Sequence, residues 1–291
     1  MQHHALLILG AGWTSTFLIP LCKFRNLPIA ATTRDGRDVA GHKTLSWTFD
    51  PDGDKEQFAA LPLAQSILVT FPLTGTGQSR LVKEGYESVW GNKLAGGEVR
   101  VVQLGSTGIW QIPQDGLWTT RHSPYNASNA RAQAEDELLA LGGCVLNLAG
   151  LWGGPRQPRN WVGRVAKSKE DVRGKGSLHM VHGADVARGV VAVVEGWEKA
   201  KGQRWMVTDG FVYDWWSLMA GWADVGSGGG VKGAEDEVDK EPADTATWVY
   251  ELMREEGMRA LPRTFEVLGR CYDRREFWET FEVVPLKARI Y

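Results

Sequence analysis

The sequence has few cysteines, and their spacing pairs none of them. Cys22, Cys144 and Cys271 are the three cysteines of the 291-residue chain, and they lie far apart without forming a C-x-x-C motif. Neither a disulfide framework nor a zinc knuckle is indicated by such a pattern. We therefore expect a protein of a reducing compartment, the cytoplasm, and predict no metal site.

Long apolar runs and an excess of either charge are also missing. The first apolar run, residues 5–9, is too short for the core of a signal peptide, and no run approaches the roughly 20 residues that cross a bilayer. A formal net charge of −2 leaves no basic surface for nucleic acid. We expect no membrane and no nucleic-acid partner, and a small molecule as the ligand.

Short apolar runs alternate instead with segments of helical periodicity. The runs are HALLILG, LPIAATT, KTLSWTF, SILVTFPL, VRVVQLG, CVLNLAG and QRWMVTDG, and amphipathic stretches such as WTSTFLIPLCKF and GADVARGVVAVVEGWEKA lie between them. Alternation of this kind is typical of a parallel sheet covered by helices. The predicted fold is α/β, a Rossmann-type doubly wound parallel sheet with a small C-terminal substrate lobe.

Composition divides the chain into three parts. Residues 1–225 are predicted to form the dinucleotide-binding domain, with segments after about residue 152 contributing to the lobe. Residues 226–242 are rich in glycine and acids, contain few apolar residues that could be buried, and are predicted to be a flexible loop. Residues 243–291 begin with an amphipathic helix, end in an aromatic and charged tail, and are predicted to complete the substrate side.

A glycine turn follows the first predicted strand. Gly10 and Gly12 stand in LLILGAGWTS, directly before a helical pattern. In this context the first glycine permits a tight turn and the second lets the backbone approach a diphosphate at the helix N-terminus. We predict a dinucleotide site here, to which Trp13, Thr14 and Ser15 also contribute; the alternative is a plain strand-to-helix turn.

The end of the second predicted strand bears on the choice of dinucleotide. Thr33 and Arg34 occupy the place where an acid would bind the ribose hydroxyls of NAD, and Arg37 follows closely. An arginine can bind the additional phosphate of NADP, so NADP(H) is predicted over NAD(H). Asp50 is predicted near the adenine, although an Asp-Pro turn explains it equally well. Further cofactor contacts are predicted at the end of the fourth strand, namely Phe71 and Pro72.

Four stretches in order resemble the extended short-chain dehydrogenase/reductase family, also described as the NAD-dependent epimerase/dehydratase family. They are LILGAGWTS, VQLGSTGIW, SPYNASN with its following helix, and LAGLWGGPR leading to VHGADVARGV, within residues 5 to about 222. The likeness is strongest to atypical, smaller members. It implies that Ser106, three residues before an apolar-aromatic pair, polarises a substrate carbonyl, with Thr107 as the neighbouring candidate. A Ser-Thr-Gly sequence is also an ordinary turn.

The resemblance further implies a catalytic Y-x-x-x-K motif at a helix start, where this chain has Tyr125 and Asn129. That spacing would place both side chains on one helical face. A nearby lysine favours the tyrosine phenolate, whereas asparagine supplies a dipole and no charge, so the tyrosine would be a poorer base. An accidental tyrosine is the alternative, and His122 is a second candidate proton donor.

Aromatic and cationic residues mark the expected substrate side. Trp110 and Trp152 are predicted to line the pocket, together with His122 and Arg156, although solvated arginines and buried tryptophans are common. His179 and His182 have the spacing of metal ligands, but they fall on a strand-to-helix connection without a completing acid or cysteine, and we interpret them as structural.

Together these observations predict an NADP(H)-dependent oxidoreductase that reduces a small carbonyl compound with an atypical active site. Two alternatives stay open: a catalytically degenerate dinucleotide-binding regulator or scaffold, and a non-redox isomerase or cyclase on the same fold. The oligomeric state expected from the resemblance is a monomer or a homodimer that pairs through a four-helix face.

Overall fold

The computed structural model describes residues 3–111, 118–224, 243–288 and 290. The predicted flexible loop, 226–242, lies outside these residues. Among the described helices, none combines the length and the apolar character needed to cross a bilayer.

The described chain contains strands that differ widely in length, and the long ones belong to one central sheet. The strands are β1 His4–Leu9, β2 Ile29–Thr33, β3 Leu45–Ser46, β4 Ala64–Val69, β5 Arg100–Ser106, β6 Trp118–Thr119, β7 Cys144–Leu148, β8 Gly150–Trp152, β9 Ser177–Leu178, β10 Met180–His182, β11 Arg204–Val207, β12 Tyr213–Asp214 and β13 Cys271–Tyr272.

The central sheet has seven strands in the order β11-β7-β5-β4-β1-β2-β3, and every neighbouring pair is parallel. All seven runs quoted from the sequence contribute a strand to it. The chain moves outward from β1 in one direction and then returns to build β4, β5, β7 and β11 on the other side. The predicted doubly wound α/β fold is therefore confirmed, and its switch point lies between β1 and β4.

The helices cover both faces of the sheet and build the lobe. They are α1 Ser15–Phe24, α2 Gln78–Trp90, α3 Ala130–Ala140, α4 Val162–Val165, α5 Lys169–Arg173, α6 Gly183–Glu195, α7 Trp197–Ala200, α8 Trp215–Gly221, α9 Asp244–Glu255, α10 Phe265–Leu268 and α11 Arg275–Thr280. Short 3-10 turns occupy Lys55–Ala60, Gly91–Lys93, Ala95–Gly97, Thr107–Ile109 and Pro158–Trp161.

Each face of the sheet has its own hydrophobic core. Leu18 of α1 and Val190 of α6 pack with the side chains of one face, and Tyr86 of α2 and Leu138 of α3 pack with those of the other. Parallel strands buried on both faces require continuous apolar sequence. The run LLIL in β1 meets this requirement, because all four of its side chains are fully buried.

The lobe has a third core, centred on Trp216 of α8 and Val249 of α9. A buried ion pair anchors its base, since Nη2 of Arg263 lies 2.7 Å from Oδ1 of Asp214. The chain then returns to the sheet, where Phe277 and Trp278 of α11 pack in the same core as α1 and α6. The indole of Trp278 donates a hydrogen bond to the carbonyl of Thr208, 2.9 Å away.

Candidate functional site

The glycine turn lies at the switch point of the sheet, where β1 ends. Gly10 has a φ of +81°, and a Cβ there would lie 2.9 Å from Cδ1 of Phe71. The hydroxyl of Thr70 donates a hydrogen bond to the carbonyl of Gly10. Only glycine combines this backbone conformation with so close an approach of the neighbouring loop.

Several backbone N–H groups lie between this turn and helix α1. The amides of Gly10 and Ala11 are bonded to Thr32, and the amide of Ser15 is bonded to the carbonyl of Gly12. Within the described part of the chain, the intervening N–H groups of residues 12–14 have no hydrogen-bond acceptor, and Thr14 makes no side-chain cap. Free N–H groups at a helix N-terminus form a binding site for a phosphate group.

A cleft of about 570 Å³ opens beside these donors. Six of the predicted cofactor residues line it: Gly10, Gly12, Thr33, Arg34, Phe71 and Pro72. The remaining lining residues come from the loops after β1 to β4, namely Ala11, Arg37, Trp47, Thr48, Phe49, Pro51, Thr74 and Gln78. The cleft thus lies along the carboxyl ends of adjacent parallel strands, where ligands of doubly wound folds bind.

Two arginines stand at the β2 end of the cleft, and they differ in their partners. The guanidinium of Arg37 binds Asp35, with Nη1 lying 3.1 Å from both carboxylate oxygens. This contact keeps the pKa of Asp35 below its ordinary value. The side chain of Arg34 has no ion pair among the described residues. Arg34 therefore has no carboxylate partner among the described residues that would compete with a phosphate, whereas Arg37 already binds Asp35.

Two aromatic residues that sequence reasoning missed, Trp47 and Phe49, line the cleft beside the predicted Phe71. The rings of Phe49 and Phe71 stack with centroids 5.6 Å apart, and Trp47 lies beside Phe49 at 6.4 Å. The alternating aromatic residues of the run KTLSWTF are the sequence feature that could have indicated these two side chains. Asp50, expected near the adenine, does not line the cleft; its carboxylate accepts from the amide of Asp52 at 3.1 Å. The turn interpretation of Asp50 is the one that the structure supports.

The three residues after Gly12 have structural roles beyond their amides. The indole of Trp13 donates to the carbonyl of Gly153 over 3.2 Å, and the guanidinium of Arg156 lies over its ring at 4.5 Å. Thr14 is mostly buried, and Ser15 is fully buried with a hydroxyl that has no partner among the described atoms. None of the three side chains lines the cleft, so any contribution to cofactor binding comes from their backbone.

Ser106 ends β5, which is the neighbour of β4 in the sheet. Its Oγ accepts a hydrogen bond from the amide of Gly108 at 3.2 Å and so caps the short turn Thr107–Ile109. Val69, the last residue of β4, pairs with Gln103, so Ser106 lies three residues, or about 10 Å, further along β5. The hydroxyl of Thr107 points instead toward the carbonyl of Leu148, 3.4 Å away, and Thr107 is buried.

A buried side chain holds the backbone of Ser106. The amide nitrogen of Asn147 donates to the carbonyl of Ser106 at 3.0 Å. The carboxylate of Glu135 accepts from the same amide nitrogen at 2.9 Å and lies 3.2 Å from Nη2 of Arg204. Burial raises the pKa of Glu135, an effect that these hydrogen bonds and Arg204 partly offset. Sequence reasoning missed this network, which joins residues of α3, β7 and β11.

The expectation that Tyr125 and Asn129 share a helical face is wrong. Helix α3 begins at Ala130, and Tyr125 lies before it in an extended segment that bridges to Trp110. The hydroxyl of Tyr125 donates to Oδ1 of Asp136 at 2.8 Å. The side-chain oxygen of Asn129 caps α3 by accepting from the amide of Arg131 at 2.9 Å. Neither side chain lines the cleft, because the Y-x-x-x-N spacing straddles a helix start.

Two of the predicted substrate residues, Trp110 and His122, lie in different surroundings. Trp110 is buried in a small core against Tyr272, with ring centroids 6.4 Å apart. His122 is two-thirds exposed, and its Nε2 lies 3.2 Å from a carboxylate oxygen of Glu276 on α11. Neither residue is among those that line the cleft at the glycine turn.

Trp152 is the last residue of β8, next to Gly153. Its ring packs edge-on against His182, with centroids 4.7 Å apart. The Nδ1 atom of His182 accepts from the amide of Ala184 and so caps α6, which is a structural role. Among the described residues no cluster of three or more potential metal ligands occurs.

His179 is buried away from the cleft, and its Nε2 donates to the carbonyl of Arg270 at 3.1 Å. Burial lowers its pKa to about 4. The neutral imidazole packs against the ring of Tyr272, whose hydroxyl in turn donates to the carbonyl of Thr107 at 3.0 Å. His179 thus also has a structural role, linking the lobe to the C-terminal tail.

Comparison with known proteins gives structural similarity alone. No protein-family model and no curated protein sequence matches the chain. Among solved structures, a protein of unknown function from Silicibacter pomeroyi has 17% identity and a TM-score of 0.62, covering 99% of this chain and 95% of that one.

Two further solved structures carry descriptions of function. A short-chain dehydrogenase/reductase superfamily protein from Agrobacterium tumefaciens, solved with bound NAD, has 11% identity and a TM-score of 0.59, covering 98% of this chain and 93% of that one. Vestitone reductase from alfalfa (Medicago sativa L.) has 15% identity and a TM-score of 0.57, covering 95% and 98%. At these identities the likeness shows the fold alone, and this chain shares its doubly wound α/β fold with these structures.

Proposed function

We propose that this chain is an NADP(H)-dependent oxidoreductase that reduces a small carbonyl compound. The observation that carries the proposal is the set of free N–H groups at residues 12–14, which stands at the mouth of the cleft after β1. Neighbours of the same fold include a structure with bound NAD and a reductase. The unpaired cation of Arg34 at the β2 end favours the dinucleotide that has the additional phosphate.

The described residues fit such a cofactor in a definite order along the sheet. The amides of residues 12–14 would hold the diphosphate, Arg34 the 2′-phosphate, and the stacked rings of Phe49 and Phe71 would flank the adenosine half. The bound cofactor supplies the hydride. Beyond β4, the hydroxyl of Ser106 would donate to the carbonyl oxygen of the substrate, a hydrogen bond that strengthens as negative charge develops there. The resulting alkoxide would take its proton from water.

Calorimetric titration with NADPH and NADH tests the cofactor assignment. We expect NADPH to bind more tightly, and Arg34→Gln to weaken NADPH binding about tenfold while leaving NADH binding nearly unchanged, because one charge-assisted contact is lost. Arg25→Gln is the matched control, since Arg25 is an exposed arginine at the far end of α1. Absence of binding of either dinucleotide to the folded protein would contradict the proposal.

Turnover is tested by following NADPH oxidation with a panel of small aldehydes and ketones. We expect Ser106→Ala to lower kcat about a hundredfold or more while the affinity for NADPH stays unchanged, because the hydroxyl acts on the substrate oxygen and not on the cofactor. An unchanged kcat in Ser106→Ala would exclude the role given to this hydroxyl.

A second candidate function is a dinucleotide-binding protein without turnover. It is favoured by the commitment of Tyr125 to Asp136 and of Asn129 to the helix cap, which leaves neither side chain in the cleft. Tight NADPH binding without oxidation of the cofactor by any member of the carbonyl panel is the result that this second candidate predicts.

A further inference from the structure

A second cavity, of about 280 Å³, lies on the lobe side of the molecule. Its described walls come from three distant parts of the chain, and they consist of Trp152, Gln157, Pro158, Arg159, Trp222 and Ile290. Trp222 and Ile290 are buried and belong to the core of the lobe, against which Trp152 also packs. Two indoles and a proline give the cavity flat apolar walls, which suit a planar ring.

The polar groups of this cavity include one charged side chain. Of the described lining residues, Arg159 is the charged one, and it is exposed and has no ion pair with any of them. The amide nitrogen of Gln157 donates to the carbonyl of Gly154 at 2.8 Å, which holds the loop in place. An unpaired guanidinium in the wall of an apolar cavity suits an anionic acceptor.

One hydrogen bond joins the segment beside this cavity to the glycine turn. Gly12 lines the cleft, Trp13 follows it, and the indole of Trp13 donates to the carbonyl of Gly153, the residue after Trp152. Gly153 has a φ of +118°, and a Cβ there would lie 2.4 Å from Nε2 of His182, so only glycine fits this position. The segment next to Trp152 is therefore attached to the turn at which the proposed cofactor binds.

We infer that this second cavity binds a planar aromatic carboxylate. The ring would lie between Trp152 and Trp222, and the carboxylate would accept hydrogen bonds from Arg159. Together with the proposed reductase function, on which this step rests, the inference makes an aromatic carbonyl compound with a carboxylate the substrate class. The binding site itself does not depend on turnover.

Calorimetry with trans-cinnamate and with cinnamamide, its uncharged analogue, tests the inference. We expect cinnamate to bind the wild-type protein about tenfold more tightly than cinnamamide, because only cinnamate offers a charged acceptor. Arg159→Gln should remove this preference while the protein remains folded, since Arg159 is exposed. Trp222→Leu should weaken both compounds, and a thermal melt establishes that this variant is folded.

The control is Arg25→Gln, which should bind both compounds as the wild type does. Undiminished cinnamate binding by Arg159→Gln, or no cinnamate binding by the folded wild-type protein, would overturn the inference. NADPH binding is measured in the same samples. Loss of NADPH binding with cinnamate binding retained would count against the proposed function alone, and the reverse pattern would count against this cavity alone.

Discussion

Asn129 connects a loop to helix α3 through its side chain. Its amide oxygen accepts from the backbone amides of Arg131 at 2.9 Å and Ala132 at 3.4 Å, which satisfies two donors at the helix start. Such a cap contributes about 1 kcal/mol to the free energy of unfolding. The asparagine at this position is therefore explained by the backbone it caps, and not by the chemistry of Tyr125.

This role predicts the outcome of placing a lysine at the cap. Asn129→Lys should lower the free energy of unfolding by about 1 kcal/mol, because lysine cannot accept the two hydrogen bonds, and should produce no gain in NADPH oxidation. Urea denaturation and the carbonyl panel measure the two effects. Asn129→Asp is the matched control and should keep the stability. A gain of reductase activity in Asn129→Lys would refute the assignment of a cap.

Helix α3 is attached to the sheet by charge as well as by apolar packing. Glu135 is fully buried in the helix, and its carboxylate binds Asn147 of β7 and Arg204 of β11. Gly105 of β5 leaves the room for this network, since a Cβ there would lie 2.4 Å from Oε1 of Glu135. The carboxylate of Glu135 thus connects the helix to β7 and β11. Asn147 extends this connection to the carbonyl of Ser106 at the end of β5.

Removing that carboxylate should be costly. Glu135→Ala is expected to lower the free energy of unfolding by about 1–3 kcal/mol, because it removes one acceptor from a buried guanidinium and from a buried amide, which retain Asp136 and the carbonyl of Ser106. Glu135→Gln, which retains an acceptor for Asn147, should cost less. Glu84→Ala removes an exposed ion pair with Arg80 and should cost at most about 1 kcal/mol. Equal urea midpoints for Glu135→Ala and Glu84→Ala would contradict the network.

The lobe, the sheet and the C-terminal tail meet around His179. Its imidazole donates to Arg270 and packs on Tyr272, and Tyr272 reaches the end of β5 through Thr107. Because burial lowers the pKa of His179 from 6.5 to about 4, the folded protein keeps this imidazole neutral at a pH where the unfolded chain protonates it. The overall stability must therefore depend on pH.

The direction of the pKa shift of His179 decides whether the free energy of unfolding rises or falls with pH. The contribution of His179 is fully present above pH 6.5 and is lost as the pH falls to about 4, by about 3 kcal/mol in the free energy of unfolding. Asp209 acts in the opposite sense, since burial raises its pKa to about 6. Urea denaturation of wild type and His179→Gln across this range isolates the histidine, and the difference between them should change with pH. Parallel curves would contradict the buried neutral imidazole.

Short-range patterns were sufficient to predict the sheet and the turn. The apolar run of β1 and the conformation of Gly10 depend on residues within a few positions of each other, because burial periodicity and backbone sterics are local. The cap at Asn129 was visible in the same way, as an asparagine directly before a helical pattern. The resemblance to the Y-x-x-x-K motif instead favoured a catalytic position for this residue.

Contacts between distant segments could not be predicted from one sequence. The donors that face Glu135 come from β7 and β11, and the walls of the second cavity come from residues as far apart as Trp152 and Ile290. Spacing along the chain contains no information about such pairs, since packing of whole elements brings them together. The local sequence thus determines where the cleft after β1 lies. The orientation of Tyr125 and the composition of the lobe cavity depend instead on long-range packing.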